Sequence, residues 1–150
     1  GLTFNGDTAA ANALDDYEEG TWTASLVAST TDFSGVKTTA GKYTKIGNVV
    51  IVQFGLGIAM PSGGAGNMKI TGLPFPVSTN YGDVTTSSLQ LARFDNAGTI
   101  NFYGKISNAS SEINLGYNIN YSGTFTHMNA SEINGNTTPW MSGTLVYHIS

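Results

Sequence analysis

Cysteine is absent from this chain of 150 residues, and charged residues make up only 11% of it. The lack of cysteine excludes disulfide bonds and thiolate metal sites, so stability has to come from packing and assembly. Six Lys and Arg stand against ten Asp and Glu, for a net charge of −4, and they form no basic patch that suits nucleic acid. Apolar runs are short too, because Gln53, Gly55 and Gly57 interrupt the longest one, Val49 to Met60, and we predict no membrane insertion.

Small polar residues and glycine take the place of charge. Globular chains are usually about a quarter charged, so the surface here must consist of Ser, Thr, Asn and Gly. Such a surface suits neutral, hydroxyl-rich partners, because amides and hydroxyls exchange hydrogen bonds with sugars without desolvating a charge. The exposed faces of extracellular β-sheets have the same composition. An ordinary β-sheet surface with no sugar-binding role therefore remains an open interpretation. The length fits one domain, and because the chain begins at Gly1 rather than Met we expect a piece of something longer.

The pattern changes along the acidic segment from Leu14 to Trp22. Upstream the chain is rich in Ala, which favours a short helix, while downstream Thr, Val, Ile and Tyr recur as they do in β-strands. We therefore predict a helical lead-in at residues 1–19 and a β-body at residues 20–150.

About eight to ten short strands follow, which predicts an all-β antiparallel sandwich of jelly-roll type. Thr21 to Ala28 alternates as one half-buried strand, and the polar stretch Ser29 to Ala40 predicts a loop. Lys42 to Ile46 and Val49 to Ile58 flank a Gly-Asn pair and predict a hairpin. Later segments predict a second hairpin, from Ser87 to Phe94 and Thr99 to Ile106, and then strands at Ile113 to Asn120, Thr124 to Met128 and Thr144 to Ile149.

Three stretches occur in a familiar order: NALDDYEEGTWT at residues 12–23, GKYTKIGNVV at 41–50 and ITGLPF at 70–75. Together with the ending SGTLVY at 142–147, they resemble the C-terminal module of tailed-bacteriophage tail fibres and tailspikes. The resemblance implies an extracellular place on the virion tail and a homotrimer with its N-terminal segment along the threefold axis. It also implies binding to bacterial surface polysaccharide or lipopolysaccharide.

The lead-in gives partial support for a trimer. Ala10 and Leu14 are small and apolar enough for three helices to pack closely, but the segment is too short to hold a coiled coil alone. We therefore expect the β-body to provide most of the contact, with Trp22 in packing. The apolar faces of Thr21 to Ala28 and Val49 to Ile58 are the expected interface.

Four acidic residues lie together at the end of the lead-in: Asp15, Asp16, Glu18 and Glu19. We expect the aspartates to cap backbone donors and the glutamates to pair with Lys42 or Lys45. A calcium site without EF-hand spacing and a pair of catalytic carboxylates are the other interpretations. Since no aromatic or basic cleft adjoins the acids in sequence, and His127 and His148 lie in no catalytic motif, we predict a domain that is not an enzyme and holds no metal or cofactor.

Aromatic rings beside amides and hydroxyls are the candidates for sugar recognition, because sugars lay their C–H faces on rings. The loop residues Tyr81, Asn136 and Trp140 form one candidate tip, and Tyr117 and Tyr121 adjoin asparagines. Each also has a core or interface interpretation. We expect a receptor-binding domain that recognises a host glycan; the alternative is a domain that registers and caps the trimer, with recognition or cleavage elsewhere in the parent chain.

Overall fold

Two antiparallel β-sheets pack in a sandwich-like arrangement, as the sequence predicts. The computed structural model describes residues 16–80, 84–86, 89–92, 100–119, 124–133 and 140–150. Within these ranges no helix is both long enough and apolar enough to cross a membrane. The strands of this part of the chain are β1 Tyr17–Trp22, β2 Ser25–Ala28, β3 Ser34–Ile46, β4 Val49–Ser62, β5 Met68–Thr71, β6 Val84–Thr86, β7 Leu89–Ala92, β8 Ile100–Ile106, β9 Glu112–Ile119, β10 Thr126–His127 and β11 Trp140–His148.

The two sheets have different strand orders. The five-stranded sheet runs β1-β3-β4-β11-β7, and the six-stranded sheet runs β2-β5-β9-β8-β6, with β10 paired to β9. A single turn of 3-10 helix, Ala130–Glu132, follows β10. Consecutive strands therefore often lie in opposite sheets, so long-range pairing determines the architecture.

The predicted strand Thr21 to Ala28 is divided between the two sheets. Trp22, Ala24 and Leu26 are all buried, so the alternation identifies the inward face correctly. However, β1 pairs with β3 and β2 pairs with β5, so the chain changes sheet between Trp22 and Ser25. Alternation shows which side chains face the core, but it carries no information about which sheet a strand joins.

The β3–β4 hairpin is confirmed at the predicted Gly-Asn turn. Ile46 lies opposite Val49, and Gly47 has φ +58, the left-handed conformation that a tight hairpin requires. The strands are longer than predicted, because β3 begins at Ser34 inside the predicted loop. Pairing with β4 supplies that polar stretch with backbone hydrogen bonds, which outweigh its weak strand propensity.

The predicted second hairpin is wrong. β7 pairs with β11 in the five-stranded sheet, whereas β8 lies between β9 and β6 in the other sheet. The predicted turn between them, residues 95–98, lies outside the described residues. The other late strands are confirmed with shifted ends: β10 is shorter than predicted, and β11 begins four residues earlier, at Trp140.

The core lies between the sheets and contains side chains from both. Trp22 packs edge-on against Phe54, with 5.9 Å between ring centroids, and its indole N–H donates to the Lys42 and Gln53 carbonyls at 3.2 and 3.3 Å. Burying a large apolar side chain contributes about 1.5–3 kcal/mol. The largest fully buried side chains in the described ranges are Tyr147, Leu56, Met68, Ile70, Ile106, Ile113, Leu115, Met128, Met141, Val50 and Val52.

The last residues of the predicted helical lead-in form a β-strand in the structure. Residues 1–15, including Ala10, Leu14 and Asp15, lie outside the described residues. Tyr17 and Glu19 already belong to β1, opposite Ile46 and Thr44 of β3. The acidic segment is therefore strand from Tyr17 onward, because β3 offers it a partner along its whole length.

Candidate functional site

The outward side chains of the five-stranded sheet form one continuous surface. On β4, Val50, Val52 and Phe54 are buried, so Ile51 and Gln53 point away from the core. The register then aligns the outward positions of three strands: Ile51 with Thr44 and Val146, Gln53 with Lys42 and Thr144, and Gly55 with Ala40 and Ser142.

Trp140 lies at one end of this surface with 44% of its area exposed. It is the first residue of β11, not part of a loop as predicted. Its ring reaches diagonally over Gly55, where a Cβ atom would lie 3.1 Å from Cζ2. The missing side chain lets the indole approach the backbone of β4 and still remain accessible. We name Trp140, Gly55, Gln53 and Ser142 the Trp140 platform.

Polar side chains adjoin the Trp140 platform along the sheet. A shallow depression of about 140 Å³ is lined by Lys42, Tyr43, Thr44, Ile51 and Gln53. Its amide, hydroxyl and ammonium groups are hydrogen-bonding partners for a ligand rich in hydroxyls. The surface thus combines an accessible ring with neutral polar groups and one cation.

The opposite end of the same face is apolar. Tyr17, Ile46 and Val146 are 53%, 41% and 53% exposed. Ile46 lies opposite both Tyr17 and Val49, and Ile51 lies opposite Val146 in the next row. These five residues form a cluster across four strands, which we name the apolar patch. Since Trp140 and Val146 are six residues apart on β11, these two side chains are separated by about 20 Å, whereas Gln53 of the platform and Ile51 of the patch occupy adjacent outward rows of β4.

Asp16 fastens the start of β1 to the β3–β4 hairpin. Its carboxylate pairs with Lys45, whose side chain is buried, and its carbonyl accepts the Gly47 N–H at 2.8 Å. We expected the glutamates to pair with Lys42 or Lys45, but in the structure Asp16 pairs with Lys45. This carboxylate therefore has a structural partner.

Glu18 and Glu19 accept hydrogen bonds from tyrosines. The Tyr43 hydroxyl donates to Glu18, and the Tyr17 hydroxyl donates to Glu19 at 2.8 Å. Each hydrogen bond raises the pKa of its tyrosine, because ionisation would place a phenolate beside a carboxylate. Successive positions of a strand face opposite sides, so the two carboxylates diverge. In the described part of the chain, no group of three or more His, Asp or Glu is placed to hold a metal ion.

Tyr117 faces the core. It is 8% exposed, packs edge-on against Phe102 with 6.2 Å between centroids, and donates its hydroxyl to Glu132 at 3.0 Å. Its ring is therefore not displayed on the outer surface. The other three candidates lie outside the described residues: Tyr81, Tyr121 and Asn136.

Sequence reasoning missed an aromatic group on the outward face of the six-stranded sheet. Phe125 lies 5.1 Å from Tyr103 and 4.7 Å from His127 between ring centroids. The ring of Phe125 covers Gly116, where a Cβ atom would collide with it. An isolated glycine within a strand signals close approach of another group, so Gly116 was the available clue. We name Tyr103, Phe125 and His127 the Phe125 cluster.

Comparison with known proteins gives one informative result. No protein-family model and no curated protein matches this chain. Among solved structures, the Dettilon tailspike protein is similar over 89% of this chain, with a TM-score of 0.70 and 10% sequence identity. This chain folds like part of a phage tailspike. The resemblance inferred from the sequence is thus confirmed at the level of the fold, and the match spans 24% of the tailspike chain.

Proposed function

We propose that this domain binds a glycan of the bacterial surface, as a non-enzymatic part of a phage tail fibre or tailspike on the virion. The observation that carries the proposal is Trp140, a large ring 44% exposed against a glycine. Sugar rings offer apolar C–H faces edged by hydroxyls, and an exposed indole beside Gln53 and Ser142 complements both. The tailspike-like fold agrees with this role.

The surroundings of the Trp140 platform favour a neutral ligand. The outward neighbours along β4 and β11 are Gln53, Ser142 and Thr144, and Lys42 is the one cation in the adjoining depression. A site on a flat sheet binds weakly by itself. In a homotrimer, three such sites would act together on a repetitive polysaccharide, which multiplies the effective affinity.

The absence of catalysis is part of the proposal. Polysaccharide hydrolysis by paired carboxylates requires two of them to converge on one glycosidic bond. Here Asp16 pairs with Lys45, while Glu18 and Glu19 diverge from β1 toward different tyrosines. We therefore expect the purified domain to release no reducing ends from host capsule or lipopolysaccharide.

Substitution of Trp140 tests the proposal. We expect Trp140→Ala to weaken binding to bacterial surface oligosaccharides on a glycan array roughly tenfold or more, and Trp140→Phe to retain part of it. Asn108→Ala is the control, since it removes an exposed side chain that belongs to neither the platform nor the apolar patch. Equal binding by wild type and Trp140→Ala would refute a role for the platform.

The apolar patch favours a second function, in which the domain registers and caps the trimer. Exposed Tyr17, Ile46 and Val146 in one cluster are typical of a protein contact. Deleting the domain from its parent protein distinguishes the two roles. Loss of adsorption by an intact trimer would support receptor binding, whereas monomeric or aggregated product would support assembly.

A further inference from the structure

A depression lies where the connection between β8 and β9 meets the end of β11, so both sheets border it. It is remote from the platform, because Trp140 and His148 at the two ends of β11 are about 25 Å apart. Its volume is about 390 Å³, and small-molecule sites occupy about 300–1,000 Å³. We name it the Ala109 depression; its walls carry the apolar side chains of Phe75, Pro76, Val77, Ala109 and Ile149.

Backbone hydrogen bonds connect these walls to one another. The Val77 N–H donates to the Ser110 carbonyl at 3.0 Å, and the Ala109 N–H donates to the Val77 carbonyl at the same distance. On the other side, the Ser78 N–H donates to the carbonyl of His148 at 2.8 Å. The segment after β5 is therefore bonded both to the β8–β9 connection and to β11, so the depression is formed before any ligand binds.

Ala109 has a backbone conformation that alanine rarely adopts. Its φ is +56, in the left-handed region, where a Cβ atom crowds the backbone and glycine is the usual residue. Within the described part of the chain it is the one residue other than glycine with a positive φ. It lies in a turn closed by the Ser110 N–H, which donates to Ser107 at 3.1 Å. A methyl group retained at this cost on the wall of a depression is typical of a ligand site.

The rim of the Ala109 depression is polar and neutral. None of the residues that line it is charged, and the two polar ones, Thr79 and Ser150, are exposed. The Ser150 hydroxyl donates to Ser78 at 3.2 Å and keeps its lone pairs for an incoming donor. Asn80, next to Thr79, is exposed as well. Apolar walls below such a rim suit a sugar with one apolar group better than they suit an apolar protein side chain.

We propose that the Ala109 depression binds one sugar residue that carries a methyl group, either at C6 of a 6-deoxyhexose or in an acetyl substituent. The methyl group lies against Phe75, Ala109 and Ile149, where it is removed from water, and the ring hydroxyls meet Thr79 and Ser150. The inference rests on the proposed glycan recognition and adds to it a second location and a ligand class.

Calorimetry of the whole chain with matched oligosaccharides tests the proposal. One set contains rhamnose or fucose, each beside its analogue with a hydroxyl at C6; the other contains O-acetylated sugars, each beside its deacetylated form. The methyl-bearing member of at least one pair should bind roughly tenfold tighter, because an apolar site discriminates about that strongly for one such group. The set that responds identifies the source of the methyl group. Equal affinities within every pair would overturn the proposal.

Ala109→Gly is the sharpest variant, because it removes the methyl group from the wall and relieves the backbone at once. We expect it to keep or raise the melting temperature while the preference for methyl-bearing sugars falls several-fold. Ile149→Ala should reduce the same preference from another wall. Ala65→Gly makes the matched change in a loop that does not line the depression and should preserve it. A preference that survives both wall variants, or that Ala65→Gly reduces equally, would refute the assignment.

Two further measurements separate this proposal from its parent and from a protein contact. Trp140→Ala should leave the methyl preference intact, so either site can fail without the other; loss of the preference in that variant would place the methyl group at the platform instead. Light scattering should give the same mass for Ile149→Ala as for wild type. A lower mass would show that a neighbouring copy of the chain occupies the depression, and the sugar site would be wrong.

Discussion

Several aromatic rings in the described part of this protein lie over a glycine of a neighbouring strand. Trp22 packs over Gly41, Tyr43 over Gly20, and Trp140 over Gly55. The first two pairs face the core and the third faces solvent. A ring over a glycine therefore contributes to core packing in two places and leaves the Trp140 ring accessible in the third. At the scale of single residues, glycine therefore determines how closely a ring can approach the sheet.

Gly41→Ala tests this device in the core. A Cβ atom there would lie 2.6 Å from Trp22 Nε1 and 2.7 Å from the Trp22 carbonyl oxygen. Because both ring and backbone must move, we expect the free energy of unfolding to fall by about 1–3 kcal/mol. Urea denaturation measures it, with the exposed Thr21→Ala as control. A change for Gly41→Ala no larger than that of the control would contradict the packing described.

Because Tyr147 is buried, we expect the free energy of unfolding to fall at alkaline pH. Burial raises its pKa to about 12 from 10.0, because the phenolate would lose its hydration. The stabilisation is complete below pH 10 and is lost as pH rises toward 12, an effect of about 2–3 kcal/mol. Denaturant midpoints between pH 8 and 12 should therefore fall less steeply for Tyr147→Phe than for wild type. Parallel curves would show that other groups, Tyr17 and Tyr43 among them, cause the decline.

At the scale of elements, the β3–β4 hairpin is the segment in which local signals decide the structure. Gly47 at φ +58 makes the turn, and its N–H donates to Asp16. A residue with a Cβ atom costs about 1–2 kcal/mol in that conformation. We expect Gly47→Ala to lower the free energy of unfolding by about that amount and Gly47→Asn by less, while Asn48→Ala changes it little. An unchanged unfolding midpoint for Gly47→Ala would argue against this turn geometry.

The strands and their pairing also show which features of the fold can be predicted from the sequence alone. The hairpin and the buried row Trp22, Ala24 and Leu26 are predictable, because turn chemistry and alternation act over a few residues. The change of sheet after Trp22 is not, because it depends on pairing with distant strands. The Phe125 cluster is hidden for the same reason: Tyr103 and Phe125 meet only through the register of β8, β9 and β10. Trp140 is exposed, but it lies on a strand instead of the predicted loop, and its role in binding stays a prediction.

At the scale of the whole molecule, the outer face of the five-stranded sheet has to satisfy two demands. The apolar patch gains from being covered, whereas the Trp140 platform must stay open to bind a ligand. Trp140 lies about 20 Å from Val146 along β11, so a contact between copies that covers Tyr17, Ile46 and Val146 is compatible with an accessible indole. A trimer joined through these residues would display three Trp140 rings at a distance from its contacts.

The size of the particle in solution decides whether the patch is such a contact. We expect light scattering at micromolar concentration to give three times the chain mass of 15.7 kDa. Val146→Asp places a charge in the patch and should yield monomers with unchanged circular dichroism, because desolvating an unpaired carboxylate opposes association. Thr126→Asp, an exposed change on the other sheet, should remain trimeric. A wild-type mass of 15.7 kDa in solution would show that the patch is not a contact between copies. Weak glycan binding at a single platform would then lack the gain in avidity that a trimer provides.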